Sequence, residues 1–155
     1  MTQGFTDGMR SSKDGTWTTP KDFFEKMDRE FYFTLDAAAL SNSTLVPDNW
    51  YGPDHPDSDR RNALVRSWSS DSFGGSVWLN PPYGRTIGYW MKKANVEARP
   101  NLPVVCLVPA RTDTKWWHDY CIQHEVRFIK GRLKFGNADG VFSPAPFPSA
   151  VVIVR

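Results

Sequence analysis

Short apolar runs alternate with amphipathic stretches along this chain, a pattern that predicts strands separated by helices. Val104–Val108 is apolar without interruption, which is typical of a strand buried on both faces. Strands that alternate with helices indicate an α/β fold with a mostly parallel sheet. The predicted strands are Phe31–Leu35, Val77–Leu79, Val104–Val108, Val126–Ile129 and Ala150–Val154.

The helices are predicted from capping residues that precede apolar positions at helical spacing. Thr19 and Pro20 are typical of a helix start, with the Thr19 hydroxyl as the cap and Pro20 in the first helical position. Phe23, Phe24 and Met27 give this helix an apolar face. Two more helices are expected, one capped by Thr86 with apolar positions Ile87, Trp90, Met91 and Ala94, and one from about Thr114 to Gln123.

Length and composition fit a single globular domain. Of the 155 residues, 40% are hydrophobic and 14% aromatic, which is enough apolar surface to form a core. Residues 1–16 are polar and rich in Gly, Ser and Asp, so we expect a flexible N-terminal arm before a domain at residues 17–155. Cys106 and Cys121 lie in apolar surroundings and are expected to be reduced core thiols. The sequence has no signal peptide and no apolar run approaching about 18 residues, which predicts a cytoplasmic protein without a membrane partner.

Charge is distributed unevenly between the two halves of the chain. Residues 1–78 hold 8 Lys and Arg against 12 Asp and Glu, a net charge of −4, whereas residues 79–155 hold 11 against 5, a net charge of +6. The basic half suggests a surface that meets an anionic partner; the alternative is that these charges are scattered over a solvated surface. The 3 histidines share no ligand spacing with the cysteines, so no metal site is expected.

Two polar segments directly follow predicted strands, at the carboxyl ends where open α/β sheets bind ligands. They are Asp36 and Asn80-Pro81-Pro82-Tyr83. The exocyclic amine of adenine is a poor nucleophile because its lone pair is delocalised into the ring. Two acceptors, the side-chain oxygen of Asn80 and the carbonyl of Pro81, would draw that nitrogen towards tetrahedral geometry, while Tyr83 offers a flat face to an extruded base. The alternative is a proline-rich turn without chemistry.

The chain resembles the compact phage-type DNA N-6-adenine methyltransferases, the phage Dam family, from Trp17 to Val154. This resemblance implies a Rossmann-like methyltransferase fold, which is one compact domain with a mostly parallel central sheet and helices on both faces. It also implies S-adenosylmethionine as the methyl donor, double-stranded DNA as the partner and no metal. The segments that carry it are Trp17–Lys21, Thr34–Ala38, Trp78–Gly84, Leu107–Asp113, Phe128–Phe135 and Ala145–Ala150.

The resemblance assigns roles to individual residues. Asn80, Pro81, Pro82 and Tyr83 match the catalytic segment that binds the target amine, and Asn80 also borders the cofactor. Asp36 matches the acid that holds the methionine end of the cofactor, with Ala37 beside it; the alternative is a capping or salt-bridged carboxylate. Trp17, Thr19 and Pro20 match a segment that closes over the cofactor, and the alternative is a simple helix cap.

The sequence departs from many methyltransferases after the first predicted strand. Asp36-Ala37-Ala38-Ala39 contains no glycine, so the backbone approaches the cofactor less freely than a Gly-rich loop would. A second acid is expected to bind the ribose hydroxyls. Asp48 is a candidate, with Asp54, Asp57 and Asp59 as alternatives.

A basic run supplies the candidate DNA-binding residues. Four cations, Arg127, Lys130, Arg132 and Lys134, fall within eight residues without an acid, and Phe135 follows as a group that would wedge or stack against DNA. Arg85 and Arg111 follow strand ends near the predicted site and would contact phosphates. The alternative for the run is an edge strand protected by basic side chains. Sequence recognition is expected in residues 41–72 and 136–147.

The sequence therefore predicts a methyltransferase that acts on the N-6 amine of a flipped adenine in a short DNA site. Two alternatives remain open. The same segment serves enzymes that methylate a glutamine amide or an amine in RNA, and the chain would also fit a catalytically silent DNA-binding module. A phage or prophage origin would place the enzyme in the cytoplasm of a bacterial host, and the oligomeric state is not predicted.

Overall fold

The computed structural model describes residues 17–155, so the flexible arm predicted for residues 1–16 lies outside the described residues. The described chain forms one domain around a five-stranded sheet, with a separate two-stranded hairpin. The strands are β1 (Phe33–Asp36), β2 (Ser76–Leu79), β3 (Val104–Pro109), β4 (Glu125–Phe128), β5 (Lys134–Gly136), β6 (Phe142–Pro144) and β7 (Ser149–Val154). The helices are α1 (Lys21–Phe31), α2 (Trp68–Asp71), α3 (Ile87–Glu97) and α4 (Lys115–Tyr120), with 3-10 turns at Ser58–Arg60 and Ala63–Val65.

The five-stranded sheet has the order β1-β2-β3-β7-β4. The first three strands are parallel, whereas β7 pairs antiparallel with both β3 and β4. The sheet is therefore mixed, and the expectation of a mostly parallel sheet is wrong. Parallel neighbours need a crossover connection, usually a helix, but the chain between β4 and β7 carries only the β5–β6 hairpin and returns antiparallel.

Both faces of the sheet are covered, as expected. On one face Val104, Cys106 and Val108 pack against apolar side chains of α2, α3 and α4. On the opposite face Val105 and Leu107 pack with α1 and with aromatic residues of the hairpin region. All residues of β3 are buried, which confirms a strand buried on both sides.

Several element boundaries differ from the predictions. Helix α1 extends through Phe31, and Tyr32 adopts a left-handed φ of 60°, so β1 begins at Phe33 rather than at Phe31. Pro20 occupies the N-cap position and Lys21 is the first helical residue, so Thr19 is not the predicted cap. Thr114 does cap α4 by accepting a hydrogen bond from the Trp117 amide, although α4 ends at Tyr120.

The long loop between β1 and β2 is held in place by buried polar contacts. The side-chain amide of Asn49 donates to the carbonyls of Thr34 and Asp71 at 2.6 and 2.7 Å. The Tyr51 hydroxyl donates to the carboxylate of Asp71, which also pairs with Arg66 at 3.0 Å. These bonds fix the loop against the carboxyl end of β1, where the predicted site lies.

Both cysteines are free and buried in the core, as predicted. Within residues 17–155, no helix has the length and apolar character needed to cross a membrane.

Candidate active site

Asn80 directly follows β2 and is buried, with 9% of its surface exposed. Its amide nitrogen donates to the backbone carbonyl of Trp17 and to the hydroxyl oxygen of Thr19, the latter at 3.0 Å. Its amide oxygen Oδ1 is buried and accepts no hydrogen bond from residues 17–155. A buried acceptor without a donor is destabilising, so this oxygen is suited to receive an N–H group from a ligand.

A cavity of about 350 Å³ is lined by Tyr83, the last residue of Asn80-Pro81-Pro82-Tyr83. The rings of Trp17 and Tyr83 lie nearly parallel in its wall, with centroids 6.4 Å apart and an interplanar angle of 25°. Phe147 meets both rings edge-on at 5.4 Å. The cavity therefore has the flat aromatic walls on which a planar base can pack. Its other lining residues are Gly84, Arg85, Ile87, Pro109, Arg111, Thr114 and Trp116.

Tyr83 is anchored at the far end of its side chain. Its hydroxyl donates to the carbonyl of Leu107 at 3.0 Å, and burial raises the pKa of the phenol well above its usual value. The phenol is therefore neutral at physiological pH, and Tyr83 contributes a fixed ring rather than a proton donor or base.

Asp36 ends β1 and is 3% exposed. Its carboxylate accepts hydrogen bonds from the Leu45 amide at 3.1 Å, and from the Thr44 hydroxyl and the Ala38 amide at 3.4 Å. All three donors are uncharged, and burial raises the pKa of Asp36 to about 7. A carboxylate in such surroundings favours the arrival of a cation, because an opposite charge stabilises its ionised form.

A narrow notch brings Asp36, Asn80 and the predicted cofactor segment together. Trp17, Thr19, Asp36, Ala38 and Asn80 all line it. The space free for a ligand in this notch is small, about 20 Å³. The structure thus places the predicted residues of β1, β2 and the N-terminal segment at one edge of the sheet.

A second cavity of about 250 Å³ lies on the other side of the segment 37–39. It shares Ala38 and Ala39 with the notch, so both spaces border these two small residues. Ala37, whose side chain is fully buried, and Pro82 also line it. Its polar lining comes from Tyr51, Arg61 and Asn62.

Gly52 allows a close backbone approach between the long loop and the segment 37–39. The Ala39 amide donates to the Tyr51 carbonyl at 2.9 Å, and the Tyr51 amide donates to the Asp36 carbonyl at 2.9 Å. A Cβ atom on Gly52 would lie 1.9 Å from the carbonyl oxygen of Ala39. The absence of a side chain at Gly52 therefore allows the loop to brace the alanine segment.

The four candidate acids for a ribose lie elsewhere. None of Asp48, Asp54, Asp57 and Asp59 lines the notch or the 250 Å³ cavity. Asp54 binds the amide and hydroxyl of Ser41, and Asp57 caps the turn Ser58–Arg60. Within the described part of the chain, no group of three potential metal ligands comes together.

The predicted DNA-binding residues divide into three sets. Arg85 and Arg111 line the aromatic cavity. Arg132 and Lys134 line a groove of about 880 Å³ between α1 and the hairpin, together with Lys21 and Lys26 and the acids Asp22 and Glu25. We refer to these residues as the α1–hairpin groove. Lys130 is exposed between β4 and the hairpin.

Arg127 and Phe135 have different surroundings from those expected. Arg127 lies in the edge strand β4, where its guanidinium pairs with Glu30 at 2.7 Å and with Glu125 at 2.6 Å. These pairs already neutralise its charge. Phe135 is 1% exposed and packs against Trp17 and Tyr83, so its ring supports the aromatic wall from inside rather than reaching a DNA surface.

Sequence reasoning missed three residues of the site. Phe147 forms one wall of the aromatic cavity, and Tyr51 and Gly52 hold the alanine segment. Phe147 falls within a segment that carried the family resemblance, so a signal for it existed. Tyr51 and Gly52 lie in an irregular loop whose course the sequence does not predict.

Comparison with known proteins identifies relatives of this chain. Residues 7–153 match the family described as DNA N-6-adenine-methyltransferase (Dam). A "DNA N-6-adenine-methyltransferase" of Haemophilus phage HP1 (strain HP1c1) is 29% identical over 133 residues, which cover 83% of this chain and 69% of that protein. A protein of the same name from Escherichia phage T1 is 32% identical over 102 residues, which cover 65% of this chain and 38% of that protein.

Proposed function

This chain belongs to the DNA N-6-adenine-methyltransferase (Dam) family, and we propose that it transfers the methyl group of S-adenosylmethionine to an adenine flipped out of double-stranded DNA. An adenine-specific DNA methyltransferase needs an amine-binding group, a cavity for the base and a site for the methyl donor. The residues at the carboxyl ends of β1 and β2 are suited to each. Ligand sites at this edge are typical of open α/β sheets, and we infer a Rossmann-like methyltransferase fold.

The observation that carries the proposal is the buried, unpartnered oxygen of Asn80. An adenine amine has two hydrogens, and Asn80 Oδ1 would accept one of them while the carbonyl of Pro81 accepts the other. Both acceptors strengthen their interaction as the nitrogen acquires positive charge during attack. Their contribution is therefore larger in the transition state than in the ground state, which is what catalysis requires.

The aromatic cavity would receive the flipped base. Trp17, Tyr83 and Phe147 would pack against its faces and edge, and their burial keeps the walls in place before the base arrives. The base would be held near Asn80, because Trp17 lines both this cavity and the notch that contains Asn80. Positioning of this kind accounts for much of the rate of a two-substrate reaction.

The residues around Asp36 fit the methyl donor. When bound, S-adenosylmethionine supplies an electrophilic methyl group on a positively charged sulfur. The Asp36 carboxylate would pair with the ammonium of its methionine end, since the donors that residues 17–155 supply to this buried acid are all uncharged. The 250 Å³ cavity beyond Ala38 and Ala39 would hold the adenosine end, with Tyr51, Arg61 and Asn62 as its polar contacts.

Cations beside the aromatic cavity would hold the DNA backbone. Arg85 and Arg111 line the aromatic cavity that would receive the base. Arg132 and Lys134 would contact phosphates farther along, in the α1–hairpin groove. Such contacts orient the duplex without reading its sequence. A phage-encoded enzyme with this activity would work in the cytoplasm of a bacterial host.

The test is methyl transfer from labelled S-adenosylmethionine to DNA that carries no methylation, with the product nucleoside identified by mass spectrometry. Label in N-6-methyladenine supports the proposal. Label in RNA or in a protein glutamine would show that RNA or protein, and not DNA, is the substrate. Cofactor binding by calorimetry without any transfer, or no binding at all, would contradict the proposal.

A further inference from the structure

Residues 17–19 form an extended segment that contacts the catalytic amide. The Asn80 amide nitrogen has two hydrogens, and one is donated to the Trp17 carbonyl and the other to the Thr19 hydroxyl oxygen at 3.0 Å. An asparagine amide has two N–H donors and one oxygen acceptor. Both donors are therefore engaged, and the oxygen is the only polar atom of the amide left for a ligand.

The segment also determines which way the amide points. The Trp17 carbonyl can only accept hydrogen bonds, so rotating the amide by half a turn would bring two buried acceptors together. The rotated amide would also present N–H groups to the target amine, which is itself a donor in this interaction. Only the observed orientation is compatible with the proposed chemistry.

The segment is itself held by the hairpin. Thr18 and Gly136 of β5 exchange two backbone hydrogen bonds of 3.0 and 2.9 Å. The Trp17 side chain packs against Phe135 and Phe147, and Thr19 is 4% exposed. The carbonyl and the hydroxyl that meet Asn80 are thus placed by backbone pairing on one side and aromatic packing on the other.

We propose that Thr19 is a positioning residue that fixes the Asn80 amide with its oxygen toward the target amine. This inference rests on the proposed function, and it gives Thr19 a role different from the cofactor contact implied by the family resemblance. Thr19 acts through Asn80, because its hydroxyl oxygen takes the second amide hydrogen. Without the hydroxyl, that hydrogen is buried and unpaired, and the amide rotates more freely.

Two variants of the full-length protein test this role. Thr19→Val keeps the shape and removes the hydroxyl, whereas Thr19→Ser keeps the hydroxyl. We expect Thr19→Val to lower kcat by roughly threefold to tenfold, the effect of one lost hydrogen bond. Thr19→Ser should restore kcat to within about twofold of the unsubstituted enzyme, and the Kd for S-adenosylmethionine should change little in either variant.

Two kinetic outcomes would overturn the proposal. A raised Kd for S-adenosylmethionine with unchanged kcat in Thr19→Val would make Thr19 a cofactor ligand. Equal loss of kcat in Thr19→Val and Thr19→Ser would show that the hydroxyl is not what matters. Thermal unfolding of each variant identifies any loss that comes from misfolding.

A second measurement does not depend on methyl transfer. Nuclear magnetic resonance of nitrogen-15-labelled protein reports exchange of side-chain amide hydrogens with water, and Asn80→Ala identifies the Asn80 signals by their loss. We expect slow exchange in the unsubstituted protein and at least threefold faster exchange in Thr19→Val. Equal exchange rates would overturn the positioning role. Failure of the unsubstituted protein to methylate DNA would instead overturn the proposed function, and the exchange rates would still decide the role of Thr19.

Discussion

The carboxylate of Asp36 accepts a hydrogen bond from the Leu45 backbone amide at 3.1 Å while only 3% of the residue is exposed. Burial without a charged partner raises the pKa of this acid to about 7. The charge of Asp36 therefore changes in the physiological pH range. If Asp36 binds the cofactor as proposed, the affinity for the cofactor should depend on pH.

The first prediction concerns cofactor affinity. Below pH 7 Asp36 is mostly protonated in the free protein, so binding a cation there requires loss of that proton. The Kd for S-adenosylmethionine should rise towards about tenfold per pH unit as the pH falls below 7. Calorimetry between about pH 6 and pH 8, roughly one unit on either side of the midpoint, measures this. Asp36→Asn should bind more weakly at pH 7.5 and lose most of the dependence; equal slopes in the two proteins would exclude Asp36 from the cofactor site.

The same shift affects the stability of the cofactor-free protein. The folded-state pKa lies above the ordinary value of 3.8, so the folded protein keeps a proton that the unfolded chain releases. The contribution of Asp36 to the free energy of unfolding therefore falls as the pH rises from about 4 to 7. Urea unfolding should show that the free energy of unfolding decreases less over this pH range in Asp36→Asn than in the unsubstituted protein.

The second prediction concerns Gly52. A methyl group at this position would lie 1.9 Å from the Ala39 carbonyl oxygen, so Gly52→Ala must displace the segment 37–39. We expect a loss of about 1–3 kcal/mol in the free energy of unfolding and weaker binding of S-adenosylmethionine. Gly88→Ala is the matched control, because a Cβ there would meet Trp116 at an ordinary 3.5 Å. Equal cofactor affinity in both variants would show that the segment does not touch the cofactor.

The third prediction separates the ring of Tyr83 from its hydroxyl. Tyr83→Phe keeps the aromatic wall and loses the bond to the Leu107 carbonyl, so it should cost about 1 kcal/mol of stability with little change in kcat. Tyr83→Ala should lower methyl transfer at least tenfold, because the flipped base loses a stacking face. The fluorescence of 2-aminopurine at the target position reports the flipped state. Unchanged base flipping in Tyr83→Ala would show that this ring is not part of the base pocket.

The fourth prediction concerns the basic residues. Removing Arg132 and Lys134 together should weaken DNA binding and reduce the slope of log K against log salt by about 1.8, since each neutralised phosphate contributes about 0.9. Arg127→Ala is the matched control, because Glu30 and Glu125 already pair with that guanidinium. Fluorescence anisotropy at several salt concentrations measures both slopes. A reduced slope in Arg127→Ala alone would show that DNA binds at the β4 edge instead.

The sequence pattern predicted the positions of the five strands of the main sheet and placed Asp36 and Asn80 at the same edge. Hydrophobic runs locate β1, β2, β3 and β7 because these strands are largely buried, whereas the edge strand β4 has no fully buried residue. The antiparallel direction of β7 was not predictable from its own residues, since direction depends on how the preceding connection returns. The hairpin was missed because each of its strands has only 3 residues and all of Phe142–Pro144 is exposed.

Sequence patterns do not reveal the contacts that individual site residues make. Thr19 has the composition of a helix cap, yet its oxygen meets Asn80, which is 61 positions away. Phe135 follows a basic run and was expected at a DNA surface, but the aromatic cluster buries its ring. In each case a tertiary contact overrides the local signal, and only the fold brings the two partners together.

The fifth prediction addresses Asn80 directly. Asn80→Ala removes the acceptor proposed for the target amine and should lower kcat at least 100-fold, on the order of the effect of deleting one transition-state contact. Asn95→Ala is the matched control, because the Asn95 amide nitrogen also donates two hydrogen bonds, to the carbonyls of Met91 and Tyr120, but lies outside the site. The control should lose stability and keep its kcat.

The most direct measurement is the single-turnover rate of methyl transfer to adenine by Asn80→Ala, with the Kd values for DNA and S-adenosylmethionine measured in parallel. We expect N-6-methyladenine formation to fall at least about 100-fold, as for a group that acts mainly in the transition state, while both Kd values stay within about threefold. An unchanged transfer rate would contradict the role assigned to the unpartnered Asn80 oxygen.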